Sequence, residues 1–303
     1  MIPDFQSLML PLLKSIQNGK DYSTAEVINS LAKEFDLTDE DLSQFLPSGT
    51  QKTFNNRVYW AKAHLKMAGL IENLKKGIFK ITLEGQKILS ENPSNINLRF
   101  LKQIPAYTDW LDKSKEENNK EVTEDTDIEN EIETPEEIID KNFLKIRKNL
   151  ALELLSKVKN GTPSFFENLV VDLLVKMGYG GSIKDAGKAI GKSGDEGIDG
   201  IIKEDKLGLD IIYIQAKRWD NVVGRPEIQK FVGALAGQGA KKGIFITTAK
   251  FTKEASEYQP KNETKIVLID GEQLADFMID YDLAVSQKNK YIIKQIDNDY
   301  FEE

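Results

Sequence analysis

The chain has no cysteine and a single histidine among its 303 residues, and these two scarcities exclude several kinds of site. Without cysteine, disulfide bonds and cysteine-ligated zinc are impossible. The one imidazole, His64, stands in WAKAHLKMAG among basic and apolar residues, far from any acidic cluster, and we interpret it as a histidine on a helix surface. Any hydrolytic chemistry must therefore use carboxylates, amides, lysine and a hard metal ion.

Long apolar runs are also absent. No stretch of about 18 or more apolar residues occurs, so the sequence predicts no membrane-spanning helix. The first residues, MIPDFQSLML, lack the basic region and the small-residue cleavage site of a secretory signal. We therefore expect a cytoplasmic protein, and its length favours two domains.

Charge is distributed unevenly along the chain. Acidic residues outnumber basic ones by 49 to 41, which gives a net charge of −8. Residues 113–137 hold eleven Asp and Glu against three Lys, a net −8, so the remaining chain is neutral. Residues 51–82 hold seven Lys and Arg against one acid, a net +6. Because a phosphate backbone responds to the local field, residues 51–82 are a candidate nucleic-acid-binding region.

The acidic stretch divides the chain. Residues 111–137 are highly charged, free of aromatic residues and without helical periodicity, so they cannot bury enough apolar surface to offset chain entropy. We predict a flexible acidic linker there, between a first domain over residues 1–110 and a second over residues 138–303. The plain interpretation is a spacer; the alternative is a DNA mimic that occupies the basic face of the first domain.

The first domain has the pattern of three helices followed by a hairpin. Apolar residues at helical spacing predict a helix over Phe5–Asn18, and Ser23 with Glu26 three residues later predicts a capping box at the start of a second helix. A basic turn separates the last two apolar runs. The third helix and the two strands of the hairpin are predicted over Thr53–Ala68, Leu70–Leu74 and Ile78–Leu83.

This order of elements is typical of a winged-helix domain of the α+β class. Its third helix enters the major groove of DNA, and its hairpin, the wing, reaches phosphates. A small helical packing domain with solvated lysines is the alternative. The candidate DNA-binding cations of the third helix and the hairpin are Lys52, Arg57, Lys62, Lys66, Lys75 and Lys76.

The second domain alternates helices and strands, which predicts an α/β fold with a mixed central sheet. Helices are predicted over Pro163–Met177, Pro226–Leu235 and Gly271–Ile279. Strands are predicted over Gly197–Ile202, Leu209–Ala216, Gly243–Thr248 and Lys265–Ile269.

Polar residues at the ends of two of these strands could carry chemistry. Gln215 and Lys217 in IYIQAKRW are two residues apart on a strand, so their side chains leave the same face. Asp199 in GDEGIDGII stands on a neighbouring predicted strand and can meet them. Its carboxylate, the Gln215 amide oxygen and the Ala216 backbone carbonyl are suitable ligands for Mg²⁺, with Mn²⁺ as a substitute. Lys217 would orient the attacking water or stabilise negative charge on a phosphate.

At these residues the sequence resembles the Mrr-type restriction endonucleases of the PD-(D/E)xK nuclease superfamily. The resemblance covers nearly the whole chain: NRVYWAKAHLKMAGLIE in the first domain, then FFENLVVDLLVKMGYGG, GDEGIDGII, YIQAKRW, VGRPEIQKFVGALAGQ, GIFITTAKFT and LIDGEQL in the second. It implies a restriction-endonuclease-like fold for the second domain. It also implies a type IV-like, metal-dependent endonuclease acting on double-stranded DNA, with a preference for methylated or otherwise foreign DNA.

The resemblance also assigns roles by position. Asp199 matches the family's metal-binding aspartate, Gln215 the glutamine that replaces the usual acid, and Lys217 the catalytic lysine. Glu167 matches an acidic residue contributed by the first helix of the catalytic domain, although an exposed helix glutamate is the alternative. Gln229, on the helix after the QAK strand, is a secondary candidate.

The turn before Asp199 departs from the family pattern. Glu196 stands where the family commonly has a glycine, so it either distorts the turn or adds charge near the metal. Asp195 is expected to shape this turn, with a contact to metal-bound water as the alternative. Because Gln215 removes one negative charge from the site, we expect weaker metal affinity, with Glu167 as compensation.

Residues 186–193 have a pattern that could indicate a nucleotide-binding loop. AGKAIGKS, residues 186–193, has a loose phosphate-loop pattern but precedes a turn and a strand instead of opening a helix, so we expect no nucleotide cofactor.

The alternative functions are a winged-helix regulator with a degenerate nuclease domain and a repair or junction nuclease. Cutting both strands of a duplex needs two active sites or two visits, which favours a homo-oligomer.

Overall fold

The computed structural model describes residues 1–117, 132–180, 198–205, 208–260 and 263–294. The chain divides into two compact units, one containing Met1–Leu144 and the other Lys145–Lys294. Asp195, Glu196 and the segment AGKAIGKS lie outside the described residues. Of the helices described, none has the length and apolar character needed to cross a membrane.

The first unit combines helices with a three-stranded antiparallel sheet in the order β1-β3-β2. Its strands are β1 (Tyr22–Ser23), β2 (Ile71–Lys75) and β3 (Ile78–Ile81). Its helices are α1 (Met9–Ser15), α2 (Thr24–Glu34), α3 (Asp39–Ser43), α4 (Thr53–Met67), α5 (Leu83–Ser90), α6 (Leu98–Leu101) and α7 (Pro105–Glu117), and α8 (Pro135–Asn160) begins in this unit.

Local sequence signals determine where α1 and α2 begin. The predicted capping box is confirmed: Glu26 N donates to the Ser23 hydroxyl at 3.2 Å, and Ser23 N donates to the Glu26 carboxylate at 2.7 Å. The first helix starts later than Phe5. The Asp4 carboxylate accepts hydrogen bonds from two backbone N–H groups just after it, which holds residues 5–8 in turns.

The core of the first unit lies beneath α4. Four residues of its inner face, Phe54, Val58, Ala61 and Leu65, are fully buried. They pack in one cluster with apolar residues of α1, α2 and the sheet. This packing holds α4 against the rest of the unit and leaves its outer side to solvent.

His64 is not the surface residue that the sequence predicted. It is half-buried among aromatic rings, with centroid distances of 5.5 Å to Phe5, 5.7 Å to Trp60 and 6.0 Å to Tyr107. Its Nδ1 lies 2.8 Å from the Tyr107 hydroxyl oxygen. Burial lowers the pKa of His64 to about 4. The prediction was wrong because α7, which carries Tyr107, was not foreseen.

The start of α8 is anchored to α4. Thr134 caps α8 through a reciprocal pair with Glu137: the Thr134 hydroxyl accepts from Glu137 N at 3.3 Å, and Thr134 N donates to the Glu137 carboxylate at 2.8 Å. Thr134 is fully buried and donates to the side-chain oxygen of buried Asn56 at 2.6 Å. The residues Thr-Pro-Glu-Glu at 134–137, which the sequence placed in a linker, thus form a helix start.

The second unit contains a four-stranded sheet in the order β4-β5-β6-β7. β4 pairs antiparallel with β5, whereas β5, β6 and β7 run parallel, so the predicted mixed sheet is confirmed. The strands are β4 (Gly200–Lys203), β5 (Ile211–Lys217), β6 (Lys242–Thr247) and β7 (Lys265–Ile269). The helices are α9 (Pro163–Lys176), α10 (Arg225–Gly237), α11 (Lys253–Ser256) and α12 (Gly271–Asp280).

Helices cover both faces of this sheet. On one face, Ile212 and Ile214 of β5 share an apolar cluster with Phe166 and other residues of α9. On the other face, Tyr213 of β5 packs with the cluster that contains Phe231 of α10. Because side chains alternate along a strand, Gln215 and Lys217 project toward the face that α10 covers.

Candidate active site

The ends of β4 and β5 bring Asp199 to the QAK segment. The register pairs Gly200 with Ile214, so Asp199 lies at the Gln215 end of β5. Asp199 N donates to the carbonyl of Ile214 at 2.9 Å. In return, the backbone N–H of Ala216 donates to Oδ2 of Asp199 at 2.8 Å. The carboxylate is therefore fixed at the backbone of Ala216, the residue between Gln215 and Lys217 in sequence.

Gln215 supplies a buried amide at this point. The residue is only 5% exposed, and within the part of the chain that the structure describes its side chain has no hydrogen-bond partner. Among the described residues, the fully buried side-chain polar atoms without a partner do not include those of this amide, so solvent or a ligand can reach it. The amide oxygen of Gln215 is therefore available to a cation held by Asp199.

Lys217 ends β5 with a half-buried side chain. Its Nζ lies 5.9 Å from the ring centroid of Trp219, a distance at which the ring face attracts a cation. Trp219 is 37% exposed. The Lys217 ammonium thus lies at the end of β5, next to an aromatic ring that solvent can reach.

The donor set is compatible with a hard divalent cation. Asp199 offers a carboxylate, Gln215 an amide oxygen and Ala216 a backbone carbonyl, all of which are oxygen ligands. Among the residues that the structure describes, no group of three or more His, Asp or Glu side chains is placed to hold a metal ion. Any cation here would therefore depend on the amide and the carbonyl in addition to Asp199, with water completing its coordination.

The structure places the other two candidates on the helix layers. Glu167 is half-buried on α9, which covers the face of the sheet opposite to Gln215. Gln229 lies on α10 in an open cleft of about 870 Å³ that Arg225 and Tyr258 also line. Neither side chain has a hydrogen bond with Asp199, Gln215 or Lys217, all five being described residues.

Two buried threonines at the end of β6 also contact this segment, and sequence reasoning missed them. The Thr247 hydroxyl donates to the carbonyl of Lys217 at 2.8 Å, and the Thr248 hydroxyl donates to the carbonyl of Trp219 at 2.7 Å. Both residues are almost fully buried. The available signal was the pair of hydroxyl residues that ends the apolar run in GIFITTAKFT.

In the first unit, two of the predicted DNA-binding cations are engaged within the protein. Nε and Nη2 of Arg57 lie 2.9 and 2.8 Å from Oε1 of Glu137, and its Nη1 donates to the carbonyls of Ile2 and Pro3. Lys62 is half-buried over the Phe79 ring, and this burial, followed by the charge of Lys66, lowers the pKa of Lys62 to about 8. The remaining cations, Lys52, Lys66, Lys75 and Lys76, are exposed.

Comparison with known proteins gives matches over both units. Residues 5–91 match the family model described as the Mrr N-terminal domain, and residues 158–278 match the Mrr catalytic model described as restriction endonuclease. The chain is 35% identical over 314 aligned positions to "Type IV methyl-directed restriction enzyme EcoKMrr" of Escherichia coli (strain K12), covering 99% of both chains.

A solved structure is also similar in part. The structure titled "MspJI Restriction Endonuclease in Complex with 27-mer Oligonucleotide" matches 44% of this chain and 31% of that chain, at 21% identity and a TM-score of 0.33. The family of this chain is shown by the full-length relative and by the two family models, which match in the same order along the chain. The chain belongs to the Mrr family of restriction endonucleases.

Proposed function

We propose that this protein hydrolyses phosphodiester bonds of double-stranded DNA with a divalent cation bound by Asp199 and Gln215 and with Lys217 as the catalytic cation. The observation that carries the proposal is the 2.8 Å hydrogen bond from Ala216 N to Asp199 Oδ2. It fixes a carboxylate beside the strand end that carries the Gln215 amide and the Lys217 ammonium. Oxygen ligands for a metal ion and a cation for the phosphate are groups that metal-dependent hydrolysis of a phosphate ester can use.

In this proposal, Asp199, the Gln215 amide and the Ala216 carbonyl hold Mg²⁺, or Mn²⁺ in its place. The cation would lower the pKa of water and neutralise charge on the phosphate. Lys217 holds its ammonium where negative charge develops, and the Trp219 ring keeps that ammonium close to the site. Glu167 and Gln229 are proposed as secondary contributors, since no hydrogen bond joins them to the three central residues.

We also propose that the first unit is a winged-helix DNA-binding domain. The sheet order β1-β3-β2 and the position of α4 directly before the β2–β3 hairpin support this assignment. Exposed lysines on α4 and at the hairpin tip would contact phosphates. Arg57 and Lys62 instead stabilise the unit from within, because their partners are residues of the same unit.

The proposed substrate class is methylated DNA. The relative with 35% identity is named as methyl-directed, and it aligns with 99% of this chain. Two copies of the chain would supply one active site for each strand of a duplex, so we propose a homo-oligomer as the cleaving form.

The test is a plasmid-nicking assay of wild type, Lys217→Ala and the control Lys265→Ala with Mg²⁺ or Mn²⁺, on methylated and unmethylated plasmid. Lys265 is an exposed lysine of the same sheet. We expect Lys217→Ala to lower the cleavage rate by about 10²–10³-fold while DNA affinity in a gel-shift assay is unchanged. Cleavage by Lys217→Ala at the rate of the control would disprove the assigned site, and equal rates on both plasmids would disprove the substrate preference.

A further inference from the structure

The structure assigns Thr247 and Thr248 as positioning residues that fix the direction in which Lys217 presents its ammonium. This inference rests on the proposed role of Lys217 in the reaction. Neither threonine is proposed to touch DNA or the cation, because Thr247 is 0% and Thr248 2% exposed. Both act through the backbone turn that follows β5.

Thr247 holds the carbonyl of Lys217. That carbonyl accepts three hydrogen bonds: from the Thr247 hydroxyl at 2.8 Å, from Thr248 N at 3.2 Å and from Trp219 N at 3.0 Å. The Thr247 hydroxyl in turn accepts from the backbone N–H of Ala249 at 3.1 Å, so its own orientation is determined. With its carbonyl held from three sides, the backbone of Lys217 has one orientation, and its side chain leaves the strand in one direction.

Thr248 holds the aromatic surface that accompanies the ammonium. Its hydroxyl donates to the carbonyl of Trp219 at 2.7 Å. The ring of Trp219 lies 5.9 Å from Nζ of Lys217. The Thr247 hydroxyl therefore fixes the backbone of Lys217. The Thr248 hydroxyl fixes the backbone of Trp219, whose ring lies near the Lys217 ammonium.

The support for this turn is itself rigid. Gly271, at the start of α12, lies so close to β6 that a Cβ atom at this position would come within 2.4 Å of the Thr248 carbonyl oxygen. Gly271 N also donates to the carbonyl of Ala249 at 3.0 Å. The end of β6 is thus packed closely against α12, which leaves it little room to shift after the loss of a hydrogen bond.

Packing alone does not account for two hydroxyls at this place. The four residues of β6 that directly precede Thr247 are apolar and buried, and valine has nearly the shape of threonine. Burying a hydroxyl has a free-energy cost that only its hydrogen bonds offset. Here both hydroxyls donate to the segment from Lys217 to Trp219, so holding that segment is what they contribute.

Single-turnover nicking by the full-length protein tests the assignment. We expect Thr247→Val to lower the rate at saturating DNA by about 10–100-fold, the loss typical of a misplaced catalytic group, with unchanged DNA affinity and with circular dichroism showing a folded protein. Thr247→Ser keeps the hydroxyl and should restore the rate to within about threefold. Thr248→Val and Thr248→Ser should repeat this pattern, which provides a second pair if one valine variant fails to fold. The matched control is Thr264→Val, a buried threonine elsewhere in this unit.

Two comparisons separate this inference from the proposed function. In a Lys217→Ala background, Thr247→Val should cause no further loss of rate, because a positioning residue has nothing left to position. If Lys217→Ala itself cleaves normally, the proposed function fails. If Lys217→Ala is inactive while the valine variants that fold cleave at the rate of Thr264→Val, the proposed function stands and the positioning inference is overturned.

Discussion

Some buried polar residues of the two units differ in whether their side chains have hydrogen-bond partners. In the first unit, Asn56, Thr134 and the Arg57 guanidinium each have partners within the unit. In the second unit, the side chain of Gln215 has none among the described residues, and Nε of Arg218 lacks one although its Nη1 donates to the carbonyl of Lys159. Satisfied groups stabilise a fold, whereas a buried group without a partner marks a place where a ligand is expected. The presence or absence of a partner thus distinguishes residues that stabilise the fold from residues that are expected to bind a substrate or an ion.

The largest effect should follow from removing the Gln215 amide. We expect Gln215→Leu to lower cleavage by about 10²–10³-fold, because the proposed cation loses a ligand. The free energy of unfolding should stay unchanged or rise, since the change removes no hydrogen bond to a described residue and puts an apolar group at a buried position. Nicking rates and thermal unfolding measure the two parts.

Gln238→Leu is the matched control, because Gln238 is an exposed glutamine at the end of α10. If Gln215→Leu loses stability but keeps its cleavage rate, Gln215 belongs with the structural residues, and the contrast between the units is lost.

The next largest effect concerns the ion pair of the first unit. The Arg57 and Glu137 side chains are 17% and 11% exposed. Glu137→Gln should lower the free energy of unfolding of this unit by about 2–4 kcal/mol, because it leaves a largely buried guanidinium without its counter-charge. Denaturant unfolding followed by circular dichroism measures this loss.

The exposed pair Lys80–Glu72 is the control, and Glu72→Gln should cost less than about 1 kcal/mol. DNA affinity separates the two interpretations of Arg57. If Glu137→Gln is as stable as wild type and binds DNA more tightly, Arg57 is a DNA-binding residue after all, held by Glu137 until DNA displaces it.

A smaller effect should appear as a pH dependence. The pKa of folded His64 is about 4, below its ordinary value of 6.5, so the unfolded chain takes up a proton first as pH falls. Stability associated with His64 is therefore complete above pH 6.5 and is lost progressively down to about pH 4. We expect a contribution of about 1–3 kcal/mol, measured as the difference in unfolding free energy between pH 7 and pH 4.5 for wild type and for His64→Gln. Equal pH dependence in both proteins would contradict the buried, neutral state of His64.

The smallest effect should be seen in DNA binding by the exposed lysines. Lys66→Ala is expected to weaken DNA affinity about equally on all sequences and to reduce the slope of log affinity against log salt by about one. Fluorescence anisotropy at several salt concentrations measures the slope. Lys87→Ala on α5, also exposed, is the control, and a change of slope of equal size there would indicate a diffuse charge effect without a defined contact on α4.

The arrangement around Asp199 could be predicted because it depends on local rules. Residues two apart on a strand share a face, and Gln215 and Lys217 end a strand whose apolar residues are easily recognised. The pairing with Asp199 followed from the assumption of neighbouring strands. The hydrogen bonds of Thr247 and Thr248 could not be predicted, because they depend on the parallel register of β5 and β6, which the sequence of either strand does not specify.

The behaviour of Arg57 and Lys62 could not be predicted for a different reason. Charge identifies a cationic segment, but it does not say on which side of α4 each cation lies or what faces it. Arg57 meets Glu137, which is 80 residues away in sequence. That partner was hidden because the high charge of residues 111–137 masked the helix start at Thr134. Local caps can thus be overlooked where composition indicates an unstructured segment.

The buried cap at Thr134 decides where the first unit can be cut. A fragment that stops at residue 110 would lose Thr134 and Glu137 together, so the side-chain oxygen of Asn56 and one side of the Arg57 guanidinium on α4 would lose these partners. DNA-binding studies on such a fragment would measure an α4 that has lost these stabilising contacts. A fragment that ends at Leu144, where the first unit ends in α8, retains these partners of α4.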